Sequence, residues 1–304
     1  MQIEKNINSI IWDKFVEQSN QNNIFCKSIY LNNLNVTYEN YVLIDKDKKI
    51  LIGIILFDEK YSLINVPTFY SGIIISKSIT SSHKQTEVCS FFIEKLIKLR
   101  KKIDIRVHYN SSNVRSFQWY NYFDEEKNKF LIKPFYTNCL NIENFNRNKL
   151  DKSLNSSRLQ EIKKARKNKL ESKISNNVNI LDQLNKLTYK KERNINEKFL
   201  SNQIAEHSLK NNYGSLLITE DDNKEPLAAS LFLYDNNNCY YMVGGSNPNK
   251  RSTGASSINI YDHIINFINN KKKNVDFVGA NSPQRGYFKT SFGGELKIYF
   301  EIKI

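Results

Sequence analysis

Two runs of the chain carry the same alternation of apolar and polar positions. In the first, an apolar stretch at Tyr41–Ile44 gives way to a charged turn, Asp45 to Lys49. Ile50–Phe57 is a second apolar run, Asp58–Tyr61 a second polar turn, and a third strand leads to Tyr70-Ser71-Gly72. β-Branched and aromatic runs bounded by polar turns predict strands. Val88, Phe91 or Phe92, Leu96 and Leu99 then recur at helical spacing over Thr86–Lys101, and Ile103–Tyr109 reads as another strand. Further along, Leu216–Thr219, Leu227–Tyr234 and Cys239–Val243 read as strands, separated by turns at Glu220–Pro226 and Asp235–Asn238. Gly244-Gly245-Ser246 follows, then a helix over 255–269 and a strand at Asn274–Val278.

The order strand, strand, strand, helix, strand thus occurs twice, offset by roughly 170–175 residues. It predicts two similar α/β (α+β) domains, 1–150 and 151–304, each a mixed sheet flanked by helices. A prior of about 150 residues per domain agrees. The alternative is chance recurrence of common elements. Residues 9–34 read as helices, with Ile10, Ile11, Phe15, Phe25, Ile29 and Tyr30 on their apolar faces. Between the repeats, 112–142 sets Arg115, Phe117, Trp119 and Tyr120 in a loop before a strand around Phe135–Ile142. Ser157-x-x-Gln160 has the form of a capping box and opens the helix RLQEIKKARKNKL. Leu159, Ile162, Ala165 and Leu170 share one face, and Lys163, Lys164 and Lys167 lie off it. Arg158 and Arg166 fall inside the apolar arc. There they either lay their stems over neighbours or meet an anionic ligand.

Composition narrows the function classes. A hydrophobic content of 40% is enough for a core, and a charged fraction of 25% argues against disorder. The net charge of +14 points to nucleic acid, an anionic membrane surface or anionic small molecules. Abundant Lys, Asn and Ile would also follow from an AT-rich coding sequence. Cys26, Cys89, Cys139 and Cys239 are far apart among hydrophobic neighbours, which predicts buried free thiols rather than disulfides or zinc. MQIEKNINSIIW has no signal-like apolar run, and no stretch approaches a membrane span. A soluble, cytoplasmic protein is expected.

Candidate chemistry gathers in the second repeat. Its third strand runs into GGSNPNKRSTGASSINIYDHII, where Arg251, Thr253, Gly254, Ala255 and Ser256 stand at a helix start. Free N–H groups there can bind phosphate. The first repeat has SKSITSSHKQTE at that point, without glycine. The stretch Asn274–Lys297, NVDFVGANSPQRGYFKTSFGGELK, joins a strand end to Asn281, Arg285, Tyr287, Lys289 and Gly293-Gly294. His263 lies on a polar helix stripe and reads as solvated or interfacial. His83, His108 and His207 have no partners spaced for metal. No G-x-S-x-G, Walker A or H-E-x-x-H motif occurs.

Arg-x-x-Gly opening a helix after three strands resembles the GNAT N-acyltransferase fold, whose Gln/Arg-x-x-Gly-x-Gly/Ala loop binds the pyrophosphate of coenzyme A. Ser256 departs from that pattern at its last position. Tandem domains of this kind ending in Phe288-Lys289-Thr290-Ser291-Phe292-Gly293-Gly294, after Asp276-Phe277 and Gly279, resemble the FemABX family. The basic helix around Arg158 and Lys163 to Arg166 is similar to the helix opening that family's second domain. The resemblance implies two tandem GNAT-like domains with ligands in or beside the cleft between them. Some members use aminoacyl-tRNA on a peptidoglycan precursor; others acylate nucleotide-linked amino sugars from acyl-CoA. The chain has no 50-residue coiled-coil insertion, and GANSPQRG with RSFQW…FYTNCL looks more like the second group.

What the resemblance implies is an N-acyltransferase moving an acyl group from acyl-CoA to the amine of a nucleotide-linked amino sugar, in cell-surface polysaccharide or O-antigen synthesis. No metal is required. Aminoacyl transfer from tRNA is one alternative, and a non-catalytic RNA- or anion-binding protein is another. Lys289 would stabilise negative charge, or be merely exposed. Asp276 would assist amine deprotonation, or pair structurally with Arg285. Tyr287 would protonate the leaving thiolate, or pack in the core. The 251–256 loop would hold the donor; Arg115, Trp119, Arg158, Asn281 and Arg285 would bind substrate. Trp119 stacks on a base or belongs to the core. The oligomeric state is left open.

Overall fold

The computed structural model describes residues 1–61, 63, 66–100, 102–111, 113–189 and 195–304, with the backbone alone for 195–201. Ser62, Ile64, Asn65, Lys101 and Ser112, which fall within predicted segments, lie outside the described residues. The chain starts with β1 (Gln2–Lys5), α1 (Ser9–Gln18), α2 (Ser28–Leu31), β2 (Tyr38–Ile44), β3 (Ile50–Phe57) and β4 (Gly72–Ile75). Then come α3 (Ser82–Leu99), β5 (Asp104–Val107), the single turn α4 (Arg115–Gln118) and β6 (Leu131–Asn141). α5 (Arg147–Ser153), α6 (Ser156–Lys167), β7 (Glu171–Ile174), α7 (Val178–Thr188) and α8 (Ile195–Lys210) follow. The chain closes with β8 (Gly214–Glu220), β9 (Pro226–Tyr234), β10 (Asn238–Ser246), α9 (Ala255–Asn269), β11 (Asn274–Asp276), α10 (Pro283–Thr290) and β12 (Glu295–Lys303).

These elements form two units, Met1–Phe135 with Ile298–Ile304, and Tyr136–Lys297. The expected division lay after residue 150. The last strand, which the polar-apolar pattern did not reveal, returns to the first unit and pairs antiparallel with β5, Phe300 opposite Val107.

In the first unit the strand order is β1-β2-β3-β4-β5-β12. β4 and β5 are parallel at Gly72 and Val107 because α3 carries the chain back across the sheet. Leu43, Ile52, Ile54, Phe92 and Ile105 are among its buried core residues. In the second unit the order is β6-β11-β10-β9-β8-β7, and β10 and β11 are again parallel, here across α9. Its core includes Phe232, Tyr261, Ile264, Phe277 and Phe292.

The repetition extends to single atoms. Asp45 Oδ1 accepts from the amides of Asp47 and Lys49 at 2.9 Å each. Asp221 Oδ1 accepts from Asn223 and Glu225 at 2.9 and 3.0 Å. Lys48 and Lys224 take the left-handed position in the two turns, with φ of 59° and 65°. An aspartate caps both hairpins by bonding backbone two residues on.

Several local expectations change. The third strand of the first unit begins at Gly72 rather than ending there. α1 buries Trp12 and Val16, leaving Ile10 76% exposed and Ile11 exposed as well. The indole decides the face: Trp12 Nε1–H donates to Cys26 O at 2.7 Å, and its ring fills the space over Gly53, where a Cβ would stand 2.7 Å away. Asn155, not Ser157, caps α6, its Oδ1 accepting from Ser157 N at 2.9 Å. Arg115 and Phe117 lie in a helical turn rather than a loop. His263 is fully buried, with Nε2 3.0 Å from Ser230 O and its ring against Phe232 and Phe267. Cys26, Cys89 and Cys239 are buried free thiols, and Cys139 is half-buried. Among the described residues no helix is long and apolar enough to cross a membrane.

Candidate active site

In the second unit the parallel pairing of β10 with β11 covers only Asn238–Tyr240 and Asn274–Asp276. Beyond Asp276 the chain leaves the sheet, and a register shift between Tyr241 and Val243 bends β10 at the same level. Ends of parallel strands are where ligands settle in open α/β sheets. Val278 and Gly279 then take φ of 37° and 67°. For a β-branched residue that conformation costs on the order of 1–3 kcal/mol, so neighbouring contacts have to hold it. Asp276, 1% exposed, accepts from Val278 N at 2.9 Å and from the Thr137 hydroxyl through Oδ1. Phe277 N donates to Asn138 O at 2.9 Å and Ala280 N to Tyr136 O at 2.7 Å. Asn281 Oδ1 accepts from Tyr136 N at 2.7 Å.

This turn aims two successive carbonyls at one point, which the Lys289 ammonium occupies. Nζ donates to Val278 O and, at 2.9 Å, to Gly279 O. An ammonium has three donors, so one remains without a hydrogen bond among the described residues. The Tyr241 ring lies beneath, 5.4 Å from Nζ to its centroid. Burial pulls Lys289 down to about 8; the Asp276 carboxylate pulls it back up, and Arg285 pushes it further down. The group is therefore a charged lysine at neutral pH that loses its proton unusually early.

Lys289 is positioned through α10, which starts at Pro283. Asn138 Nδ2 ties the end of that helix, donating to Lys289 O at 3.2 Å and Gly293 O at 2.8 Å. Gly293 and Gly294 have φ of 86° and 96°, and a Cβ on either would stand 2.5 Å from a carbonyl oxygen, of Ser153 or Cys139. The paired glycines thus serve close packing. Tyr287 stands about 200° round α10 from Lys289 and is 81% exposed. It is neither packed in the core nor brought to the ammonium. Arg285 Nε bonds Ser282 Oγ at 3.0 Å, and its guanidinium lies 5.7 Å from the Tyr189 ring centre.

Arg158 is engaged by groups of the fold itself. Its guanidinium is buried between Phe288 and Phe292, 4.3 and 5.0 Å from the ring centres. Nε donates to Ser291 Oγ at 2.8 Å, and Nη1 bonds the Glu161 carboxylate and Ser257 Oγ. It fastens α6 to α9 and α10. Arg166, exposed, lies 4.9 Å from the Tyr261 ring centre.

The same contacts fill the end of α9. Gly254 caps that helix in the left-handed region, at φ 82°. A Cβ there would stand 2.3 Å from Glu161 O. Its freedom therefore serves the approach of α6. The Glu161 carboxylate also accepts from the Ser257 hydroxyl in the first turn of α9. Ala255 N is 3.3 Å from Thr253 Oγ1, and Arg251 is exposed in the 3-10 turn before the helix. A carboxylate and a carbonyl of α6 thus pack against this helix end, beside residues 251–256.

No protein-family model matches the chain, and no curated protein matches it. Solved structures do. The crystal structure of FemX matches with a TM-score of 0.72 at 12% identity, over 99% of this chain and 97% of that one. The chain has a FemX-like fold. A conserved protein of unknown function from Bacteroides thetaiotaomicron matches at 0.64 and 11% identity, over the whole of both chains. A tandem GNAT protein from the clavulanic acid biosynthesis pathway matches at 0.51 and 7% identity, over 99% and 98%. At such identities the likeness establishes the fold, two tandem GNAT-like units.

On this FemX-like fold Arg115 and Trp119 belong to the first unit. Arg115 Nε donates to Asn113 Oδ1 at 3.0 Å and Nη2 to Ser82 Oγ at 3.1 Å, and its guanidinium stands 5.4 Å from the centre of the Trp119 ring. Trp119 is 52% exposed, so it is not core. Thr137, Asn138 and Tyr241 belong to the site and went unpredicted. Thr137 and Asn138 lie in the FYTNCL stretch, where two polar residues interrupt an apolar strand, a legible signal. Tyr241 sits in a run of apolar strand residues and gave none. Among the described residues no His, Cys, Asp and Glu group is arranged to hold a metal ion.

Proposed function

We propose that the chain transfers an acyl or aminoacyl group to an amine, with the Lys289 ammonium bearing the charge that develops on the carbonyl oxygen. The observation that carries this reading is the buried ammonium, fixed by the carbonyls of Val278 and Gly279 where two parallel strands separate. A preorganised cation in a water-poor position stabilises an oxyanion without reorganising. Asp276 supports the reaction by holding the turn and by keeping Lys289 charged. Its Oδ1 contacts to Val278 N and Thr137 favour that positioning role over proton abstraction.

The finer reading takes acyl-CoA as donor and the amine of a nucleotide-linked amino sugar as acceptor, in cell-surface polysaccharide synthesis. Its support is the exposed Trp119 with Arg115 over the ring, a pair suited to a nucleotide base and its phosphates. Within the second unit, Asn281 and Arg285 lie on the segment that carries Lys289 and would contact substrate there. In this reading the phosphates of coenzyme A are held away from residues 251–256. The filled end of α9 favours a second reading, an aminoacyl donor on tRNA and a peptidoglycan precursor as acceptor. Exposed Arg147, Lys149 and Lys152 of α5, with Lys163, Lys164 and Lys167 of α6, supply cations for an RNA backbone.

The test offers the purified protein UDP- and dTDP-amino sugars or a precursor peptide, with acetyl-CoA or aminoacyl-tRNA, and looks for the amide by mass spectrometry. Amide from acetyl-CoA selects the first reading, and amide from aminoacyl-tRNA alone selects the second. No amide with any pair, while RNA or nucleotide binding persists, would make the chain a binding protein and end the transferase proposal.

A further inference from the structure

We infer that the Tyr241 hydroxyl is a second hydrogen-bond donor to the reacting carbonyl oxygen, beside Lys289. This rests on the transferase reading and goes beyond it by naming a catalytic group that lies outside the Phe-Lys-x-x-Phe-Gly-Gly segment. Tyr241 is the first residue of β10 past the parallel ladder, which ends at Tyr240 and Asp276. Its ring lies under the Lys289 ammonium, 5.4 Å from centroid to Nζ. The hydroxyl rests against Gly244, where a Cβ would stand 2.2 Å from it, so glycine makes the room the phenol needs.

The hydroxyl also has no hydrogen-bond partner among the described residues. Other tyrosines do. Tyr240 donates to Asp235 at 2.9 Å, Tyr261 to Asp151 at 2.7 Å and Tyr41 to Glu39 at 2.6 Å; Tyr213 is 2.7 Å from His207 Nδ1. Tyr241 is only partly buried, and its hydroxyl is not among the fully buried polar atoms that lack a partner, so a ligand oxygen can reach it. Burial pushes the phenol well above its ordinary value, with Tyr189 adding to the rise and Arg285 opposing it. The group therefore stays protonated and donates without giving up its proton.

In the step, the amine nitrogen attacks the acyl carbon and the carbonyl electrons move to oxygen, held by Lys289 and Tyr241. As the carbonyl reforms, the bond to the thiol sulfur or ester oxygen breaks. Its electron pair leaves with that atom, which takes the proton lost by the amine. Tyr241 and Lys289 end as they began.

The experiment compares wild type, Tyr241→Phe and Tyr287→Phe in whichever donor and acceptor pair gives amide. Tyr241→Phe should lower kcat about 10- to 100-fold, somewhat less than the loss of a backbone-like oxyanion donor, with KM within twofold and the melting temperature unchanged. Tyr287→Phe should match wild type. Equal kcat in wild type and Tyr241→Phe overturns the inference alone, as does a loss confined to KM. Wild type forming no amide with any pair overturns the transferase reading, and the inference falls with it.

Discussion

Lys289 links a strained turn to a titration. Its proton is held weakly because the ammonium is buried, and the carbonyls of Val278 and Gly279 with the Asp276 charge only partly compensate. If the charged form does the work, the rate should climb with pH while the acceptor amine loses its proton, then fall above about 8 as Lys289 loses its own. Lys289→Arg keeps a charge that does not titrate below pH 12. Whatever activity it retains should lack the falling limb, and a limb unchanged in that variant removes Lys289 as its source. Two histidines act on stability instead. Burial pushes His108 and His263 down to about 3, whereas unfolded imidazoles titrate near 6.5. Between those values the unfolded chain binds more protons, so stability falls as pH drops, by on the order of 1 kcal/mol per pH unit for each residue. Urea midpoints at pH 7 and pH 5 should show it, and the double variant His108→Gln, His263→Gln should flatten the dependence.

At the scale of elements, α6 and α9 show how a motif can be legible while the groups it packs against are not. Helix 255–269 was legible because Gly254 interrupts the chain where Ile258, Tyr261 and Ile264 begin their spacing. What Gly254 faces was not legible, since the neighbour is a backbone carbonyl almost a hundred residues earlier, at Glu161. Arg158 is a similar case: its place in the apolar arc of α6 was plain, but its partners Ser257, Ser291, Phe288 and Phe292 come from two other helices and their ends. The apolar face of α1 was misassigned because Ile10 and Ile11 outweigh Trp12 in hydropathy, while the indole hydrogen bond to Cys26 decides the orientation. One consequence is measurable. Gly254→Ala combines a positive φ with a contact too close for a methyl group, so it should cost more than about 1 kcal/mol of stability. That loss should be the same with and without coenzyme A. A variant of wild-type stability that has lost only coenzyme A binding would assign Gly254 to a phosphate site.

On the scale of the whole molecule, the doubled order of elements was legible because apolar runs, polar turns and a helix recur in the same order; the structure adds that Asp45 and Asp221 cap equivalent hairpins and that α3 and α9 each return the chain to a parallel strand. The closing strand was not, because its pairing with β5 joins residues that the sequence keeps nearly two hundred positions apart. The two units have diverged at the point where β4 and β5, or β10 and β11, separate. In the second unit Lys289 stands there. In the first, Gln21 spans the corresponding strands, accepting from Ile75 N at 3.0 Å and donating to Asn110 O at 3.2 Å, and Ser111 Oγ donates to Ile73 O at 3.2 Å. Among the described residues these bonds lace the gap with the unit's own side chains. In the proposed reading the first unit binds the acceptor through the exposed Trp119 and the second carries the chemistry. Kinetics can separate those roles. Trp119→Ala removes a half-exposed ring, so the fold should be spared while acceptor KM rises about tenfold, worth about 1.4 kcal/mol, with kcat within twofold. Lys289→Met should do the reverse, lowering kcat by 10²-fold or more with acceptor KM little changed. If Trp119→Ala lowers kcat at constant KM, the acceptor is not held by the first unit, and the division of labour between the repeats fails even though the transferase reading survives.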